Sequence, residues 1–198
     1  MKWLNLFRWG KSPPRPQPPK VVSAVFIDVA NIVNRRLDPK TPERFWVAWQ
    51  TLRELIAKDT EGTQRTFAKA YSSMEINSER RARIIAEERT QWHISGYEFD
   101  NDSEEDVDAV IRTDMRAWIN RNAVQYPTSK LRIVLVSGDG GFIRVLANAM
   151  KAHPNRIELY VWSWRAAFNA SFLKFTSRTK VRYIDAHPEA ILYDPIEP

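Results

Sequence analysis

Val21-Val22-Ser23-Ala24-Val25-Phe26-Ile27-Asp28 decides how this chain is read: a run suited to a buried strand, closed by a carboxylate. Ile133-Val134-Leu135-Val136-Ser137-Gly138-Asp139 repeats the arrangement far along the chain. A carboxylate just past a buried strand stands at the strand's C-terminal end, where open α/β sheets build their sites. Between the two runs lies Asp106-Val107-Asp108-Ala109-Val110-Ile111-Arg112-Thr113-Asp114-Met115, acidic and helix-like. Two or more carboxylates gathered at one sheet edge make a site for a hard cation, which points to metal-assisted phosphodiester hydrolysis.

Outward from these runs, strands alternate with helices. Strands are predicted over 21–28, 65–72, 93–99, 131–136, 157–162 and 181–184. A helix is predicted from Thr41-Pro42-Glu43 to about Lys58, with proline in its first turn. Others run from Asn77 or Ser78 to Glu88, from a Ser103 cap to Arg121, over 141–151 and over 165–176. The alternation predicts an α/β fold, a three-layer α/β/α sandwich around a mostly parallel sheet. Residues 21–184 form the predicted domain, between a tail at 1–20 and a second tail at 185–198.

The 198 residues suit one domain with a real core. No cysteine is present, which excludes disulfides and thiolate metal sites. No apolar run approaches the roughly 20 residues that span a bilayer, and no signal-peptide pattern opens the chain, so a cytoplasmic protein is expected. The formal charge of +6 is concentrated. Lys2, Arg8, Lys11, Arg15 and Lys20 fall in the first twenty residues, which carry no acid, so the rest is close to neutral. Residues 11–20 read as a polyproline-type linker behind a short basic aromatic segment. That tail is expected to be disordered, with a protein partner or a weak membrane contact as the sharper reading.

Each candidate residue also has a plainer role open to it. Seven of the eleven residues from Glu98 to Asp108 are acidic, which suits a solvated loop favouring a helix N-terminus. A calcium loop fails, since counting from Asp100 the glycine position is Glu105 and the closing position Ile111. Asp108 can point back to the sheet edge from the first helical turns, or pair with Arg112 four residues on. Asp114 falls on the stripe Val107, Ile111, Met115, Trp118, so it is either a buttress or a site ligand. Asp139 sits in Ser137-Gly138-Asp139-Gly140-Gly141-Phe142, a tight strand-to-helix turn without the lysine of a nucleotide-binding loop. His93, His153 and His187 lack metal-ligand spacing, and no nucleophile elbow is present. Between Leu159 and Ile184 the chain is basic, with Arg165, Lys174, Arg178, Lys180 and Arg182 and no acid. Cations interleaved with aromatics suit single-stranded nucleic acid. Trp164, Phe168, Phe172 and Phe175 would share one helix face as core, which leaves Arg165, Lys174, Arg178 and Lys180 as the substrate contacts.

Together these motifs resemble the NYN domain family, PIN-like metal-dependent ribonucleases, and especially its LabA-like bacterial branch. Phe26-Ile27-Asp28-Val29-Ala30-Asn31 is similar to the family's opening Phe-Ile-Asp-x-x-Asn. Val107-Asp108 with Asp114-Met115 is similar to its acidic helix, and Ser137 to Phe142 to its Ser-Gly-Asp-x-Asp-Phe turn. The resemblance implies a PIN-like fold and Mg²⁺- or Mn²⁺-dependent cleavage of single-stranded or structured RNA. It implies Asp28, Asp108, Asp139 and Asp114 as metal-binding acids, with Asn31 orienting the first acid or a phosphate. One departure matters: the second acid of the turn is Gly141 here. Two further readings therefore stand beside a ribonuclease. One is a degenerate module that binds RNA or protein without cutting; the other is an adaptor recruited through its tail. A homodimer stays open.

Overall fold

The central sheet of the computed structural model has six strands, all parallel. The structure describes residues 18–34, 45–73, 79–101, 106–175 and 177–193. The strands are β1 (Val21–Asp28), β3 (Gln64–Tyr71), β4 (Glu98–Asp100), β5 (Lys130–Val136), β6 (Ile157–Ser163) and β7 (Thr179–Tyr183). A separate antiparallel ribbon pairs β2 (Phe45–Val47) with β8 (Ile191–Tyr193). The helices are α1 (Val29–Asn34), α2 (Trp49–Asp59), α3 (Glu79–Ile94), α4 (Val107–Gln125) and α5 (Ile143–Ala152).

The apolar runs become strands covered on both faces, as parallel sheets require. On one face Val22, Ala24 and Phe26 pack with Met115, Trp118 and Leu146 of α4 and α5. On the other, Val25 and Ile27 pack with Leu52, Ile56 and Trp92 of α2 and α3. Each large apolar side chain so enclosed contributes about 1.5–3 kcal/mol relative to exposure. The two clusters make the three layers, and the α/β expectation holds. No helix among the described residues is long and apolar enough to cross a membrane.

Strand order places the site. From β1 the chain adds β3 and β4 on one side, then returns to add β5, β6 and β7 on the other. The order of connection therefore reverses between β1 and β5, the place where open α/β sheets form a crevice beyond the strands' C-terminal ends. Asp28 closes β1, and Ser137 to Asp139 follow β5.

Several boundaries differ from expectation. Residues 165–176 are not one helix but two short 3-10 turns, Arg165–Ala167 and Ala170–Phe175. Asn169 is the cause: its N–H donates to the Gly138 carbonyl, and its Oδ1 accepts from the Ser171 N–H, a side-chain turn that competes with helix. Of the four rings expected on that face, Trp164 and Phe172 are fully buried and Phe168 and Phe175 pack partly against the core. The helix expected from 41 begins at Trp49, because Phe45–Val47 is taken into the β2–β8 ribbon. That ribbon also draws part of the stretch expected as a C-terminal tail into the body. α3 runs on through His93 to Ile94, Gly96 turns at φ +73°, and the third predicted strand shortens to β4. Asp106, not Ser103, caps α4, its side chain accepting from the Asp108 N–H at 3.1 Å. Ser103, Glu104, Glu105 and the basic tail at 1–17 lie outside the described residues.

Candidate active site

Asp28 is 3% exposed although it carries a carboxylate. Two local groups hold it: the Asn31 N–H donates to Oδ1 at 2.9 Å, and the Ser137 hydroxyl donates to Oδ2 at 3.1 Å. Asn31 also crosses the crevice, its Oδ1 accepting from the Gly138 N–H at 3.1 Å. Ser137 Oγ in turn accepts from the Asp139 N–H at 3.1 Å. Asn31 thus orients the first acid, and Ser137 joins the first acid to the third. Ser137 went unassigned in the sequence, although it stands inside a quoted motif, because a serine at a strand end signals nothing until its partner is known.

Burial pushes the Asp28 carboxyl up to about 6, against the hydrogen bonds from Asn31 and Ser137, and the negative charges of Asp108 and Asp139 push it the same way. Three carboxylates from β1, α4 and the turn after β5 therefore share one field. Asp139 is fixed by its own turn, Oδ1 accepting from the Gly141 N–H at 2.6 Å. Asp108 has Arg112 one helical turn on, with Nη1 at 4.0 Å, and Arg112 also pairs with Asp106 at 3.3 Å. A hard divalent cation suits an all-carboxylate oxygen set of this kind. Among the described residues, however, no three acidic or histidine side chains stand close enough to form a finished metal cage.

Asp114 has other company. Its Oδ2 accepts from Tyr71 Oη at 2.8 Å and from Lys69 Nζ at 3.1 Å, and Lys69 also pairs with Asp100 at 2.7 Å. Hydrogen bonds from Lys69 to Asp100 and Asp114 outweigh its burial and hold the ammonium above its usual range. Asp114 is six positions on from Asp108, roughly 9 Å along a helix. Tyr71 is the register partner of Asp28 across β1 and β3. Asp114 thus joins Tyr71 at the end of β3 to Lys69, the contacts of a buttress.

The turn around Asp139 is shaped by the chain after β6. A Cβ on Gly138 would lie 2.3 Å from Ser163 Oγ and 2.4 Å from the Ala167 carbonyl oxygen, and one on Gly140 would lie 2.2 Å from Asn169 Nδ2. Gly141 differs, since its Cβ would lie 3.2 Å from Asp139 Oδ1, 3.4 Å from Arg112 Nη1 and 3.6 Å from Asp108 Oδ2. Gly138→Ala is expected to cost about 1–3 kcal/mol through overpacking against backbone, while Gly141→Ala stays within about 0.5 kcal/mol of wild type. Urea unfolding of the two variants measures the contrast, and equal losses would contradict it.

The four expected substrate contacts do not lie together. Arg165 follows β6 at the acidic edge, pairs with Asp185 at 3.4 Å and lies over the Tyr183 ring. Lys174 is exposed on the second 3-10 turn. Arg178 and Lys180 stand at the start of β7, the opposite end of the sheet from Asp28. Parallel strands made that separation unavoidable, because Arg178 and Lys180 precede or open a strand whereas Asp28 and Asp139 close or follow one.

Comparison with known structures agrees with the architecture. The crystal structure of a protein of unknown function from Vibrio parahaemolyticus superposes with a TM-score of 0.58 at 17% identity, covering 85% of this chain and 97% of that one. No curated protein matches the sequence. Residues 23–179 match the NYN domain, a span that runs from β1 into β7 and contains Asp28, Asp108, Asp114 and Asp139. With that match across most of its length and a PIN-like nuclease fold around the crevice, the chain belongs to the NYN domain family.

Proposed function

We propose that this protein is a divalent-metal-dependent ribonuclease whose acidic site is Asp28, Asp108 and Asp139. The observation that carries the reading is the buried Asp28 at the β1–β5 switch point, held at a raised pKa by burial and by two further carboxylates. A buried acid with like charges facing it is unfavourable unless a cation joins it, so the donor set fits Mg²⁺ or Mn²⁺. Such an ion activates water and stabilises developing charge on a phosphodiester. The chain's own groups do the positioning. Asn31 and Ser137 fix Asp28 and tie it to the glycine turn, and Tyr71 with Asp114 supports the strand end beside it.

Arg112 occupies a telling place within this reading. Its guanidinium faces the space over Gly141, where an acid would stand in the family's turn. There it supplies positive charge that a fuller carboxylate set would supply by holding more metal. Its fork of N–H donors suits a non-bridging phosphate oxygen of the scissile bond. Arg165, at the same edge, would contact the strand nearby. RNA as substrate and a cytoplasmic location belong to the same proposal.

The same arginine favours a second reading, a module that binds RNA without cutting, because a guanidinium beside Asp108 competes with a metal ion for the acid. Incubation of purified protein with labelled single-stranded and hairpin RNAs in Mn²⁺, in Mg²⁺ and in chelator decides between them, with Asp139→Asn as control. Cleavage confined to the metal lanes and lost in the variant is expected. RNA retained in chelator with no product in any lane would replace the ribonuclease with the binding module.

A further inference from the structure

We infer that a basic groove at the edge of the sheet opposite the acids is a phosphate-binding site that holds the backbone of an RNA strand away from the scissile bond. The groove has a volume of about 530 Å³ and opens at the starts of β5, β6 and β7. Lys130, Arg132, Arg178 and Lys180 line it, against the single acid Glu158. Glu158 is shared, with Lys130 at 3.0 Å and Arg132 at 2.9 Å. Arg178 and Lys180 have neutral partners instead: Arg178 donates to Asn155 Oδ1 at 3.1 Å and Lys180 to Tyr160 Oη at 3.0 Å. Their charges are oriented by these bonds without being cancelled, as a cation awaiting an anion requires.

The cations are also held in position from below. The Tyr160 ring is buried, and both the Arg132 guanidinium and the Lys180 ammonium stand 5.0 Å from its centroid, so the cations are held in place by the ring.

RNA fits better than a small free anion. The body is close to neutral apart from its tail, and the acid-lined edge repels a polyanion, so affinity for a strand has to come from another surface. The cations come from β5 and from the start of β7, on either side of β6, and lie along an open groove rather than converging in a deep pocket. β5 is seven residues long, so the groove lies about 20 Å from Asp139 along the sheet. A strand must therefore extend several nucleotides beyond the cut to reach it.

This inference rests on RNA being the ligand but not on cleavage, so the experiment is run in chelator. Fluorescence anisotropy compares wild type with Arg178→Gln/Lys180→Gln for RNAs of about four and about sixteen nucleotides across a salt series. For the longer RNA the double variant is expected to lose on the order of tenfold in affinity, and its log–log salt slope should fall by about 1.4, two phosphate contacts at ~0.7 each. The short RNA should bind weakly to both proteins. Inorganic phosphate, titrated in parallel, separates the sources of the anion. Tight phosphate binding lost in the variant, with long-RNA affinity unchanged, would overturn RNA in favour of a free anion. Unchanged binding of both ligands would overturn the site altogether. Neither result bears on whether the acids cut, which the metal-dependent assay decides.

Discussion

Asp28→Asn removes RNA cleavage by about a thousandfold or more, the several kcal/mol that a bound ion contributes to a charged transition state, and at the same time stabilises the metal-free protein. The second half follows from burial. The Asp28 pKa in the fold is about 6, above the 3.8 of an exposed carboxyl. Above pH 6 the folded protein carries a buried charge, and a rise of this size corresponds to about 3 kcal/mol of lost stability. As pH falls from 6 toward 4 the folded carboxyl takes up a proton before the unfolded one, so this penalty fades, and below the unfolded pKa it is absent. Asparagine keeps an acceptor for the Asn31 N–H and carries no charge. In chelator, the variant's denaturant midpoint should exceed the wild type's at pH 8, and the gap should narrow as pH falls below 6 and close only below the unfolded carboxyl's 3.8. A variant less stable than wild type at pH 8 would show that Asp28 is a satisfied structural acid, and the proposed site would lose its centre.

Arg112→Gln shifts two quantities in opposite directions. Unit charges 4 Å apart interact by about 1–4 kcal/mol depending on the surroundings, and the partial exposure of Arg112 argues for the lower end. Mn²⁺ binding should therefore tighten by about tenfold, while cleavage falls by about a hundredfold, a typical loss when one charge-stabilising donor is removed. Gly141→Asp tests the same space from the other side. In the wild-type background the new carboxylate pairs with Arg112 and adds little; in the Arg112→Gln background it joins Asp108 and Asp139 and raises the number of ions bound. Calorimetric stoichiometry across the four proteins of this cycle reads the coupling. If Arg112→Gln leaves both metal affinity and cleavage where they were, the arginine serves only as a cap partner for Asp106.

Much of this arrangement was legible because it is local. β1 and β5 announce themselves as apolar runs, and the acids that close or follow them must fall at one edge once the strands are parallel. Asp108 could be assigned to the first helical turns from spacing alone, and the Asp106 cap brings it into the very first. The missing parts depend on pairs remote in sequence. Asn169 breaks a helix through its bond to Gly138, and Phe45–Val47 becomes a strand because Ile191–Tyr193 lies beside it. No local periodicity contains either fact. The same is true of Arg112: its place four residues after Asp108 is plain in the sequence, whereas its nearness to Gly141 exists only in the fold. The split of Arg178 and Lys180 from Arg165 was derivable, since a residue's position along a parallel strand fixes the edge it serves. A shared basic composition concealed it.

The β2–β8 ribbon has a consequence for how the molecule opens. It joins a segment just after the first helix to the last described strand, so its closure waits for nearly the whole chain to be in place. With three residue pairs and no further strand beside it among the described residues, the ribbon has little cooperative support from sheet pairing. Its parting is expected as a sub-global opening that frees the ribbon and loosens its backbone link to the start of α2 while β1, β5 and their acids stay assembled, and native-state hydrogen exchange at Phe45–Val47 reads it.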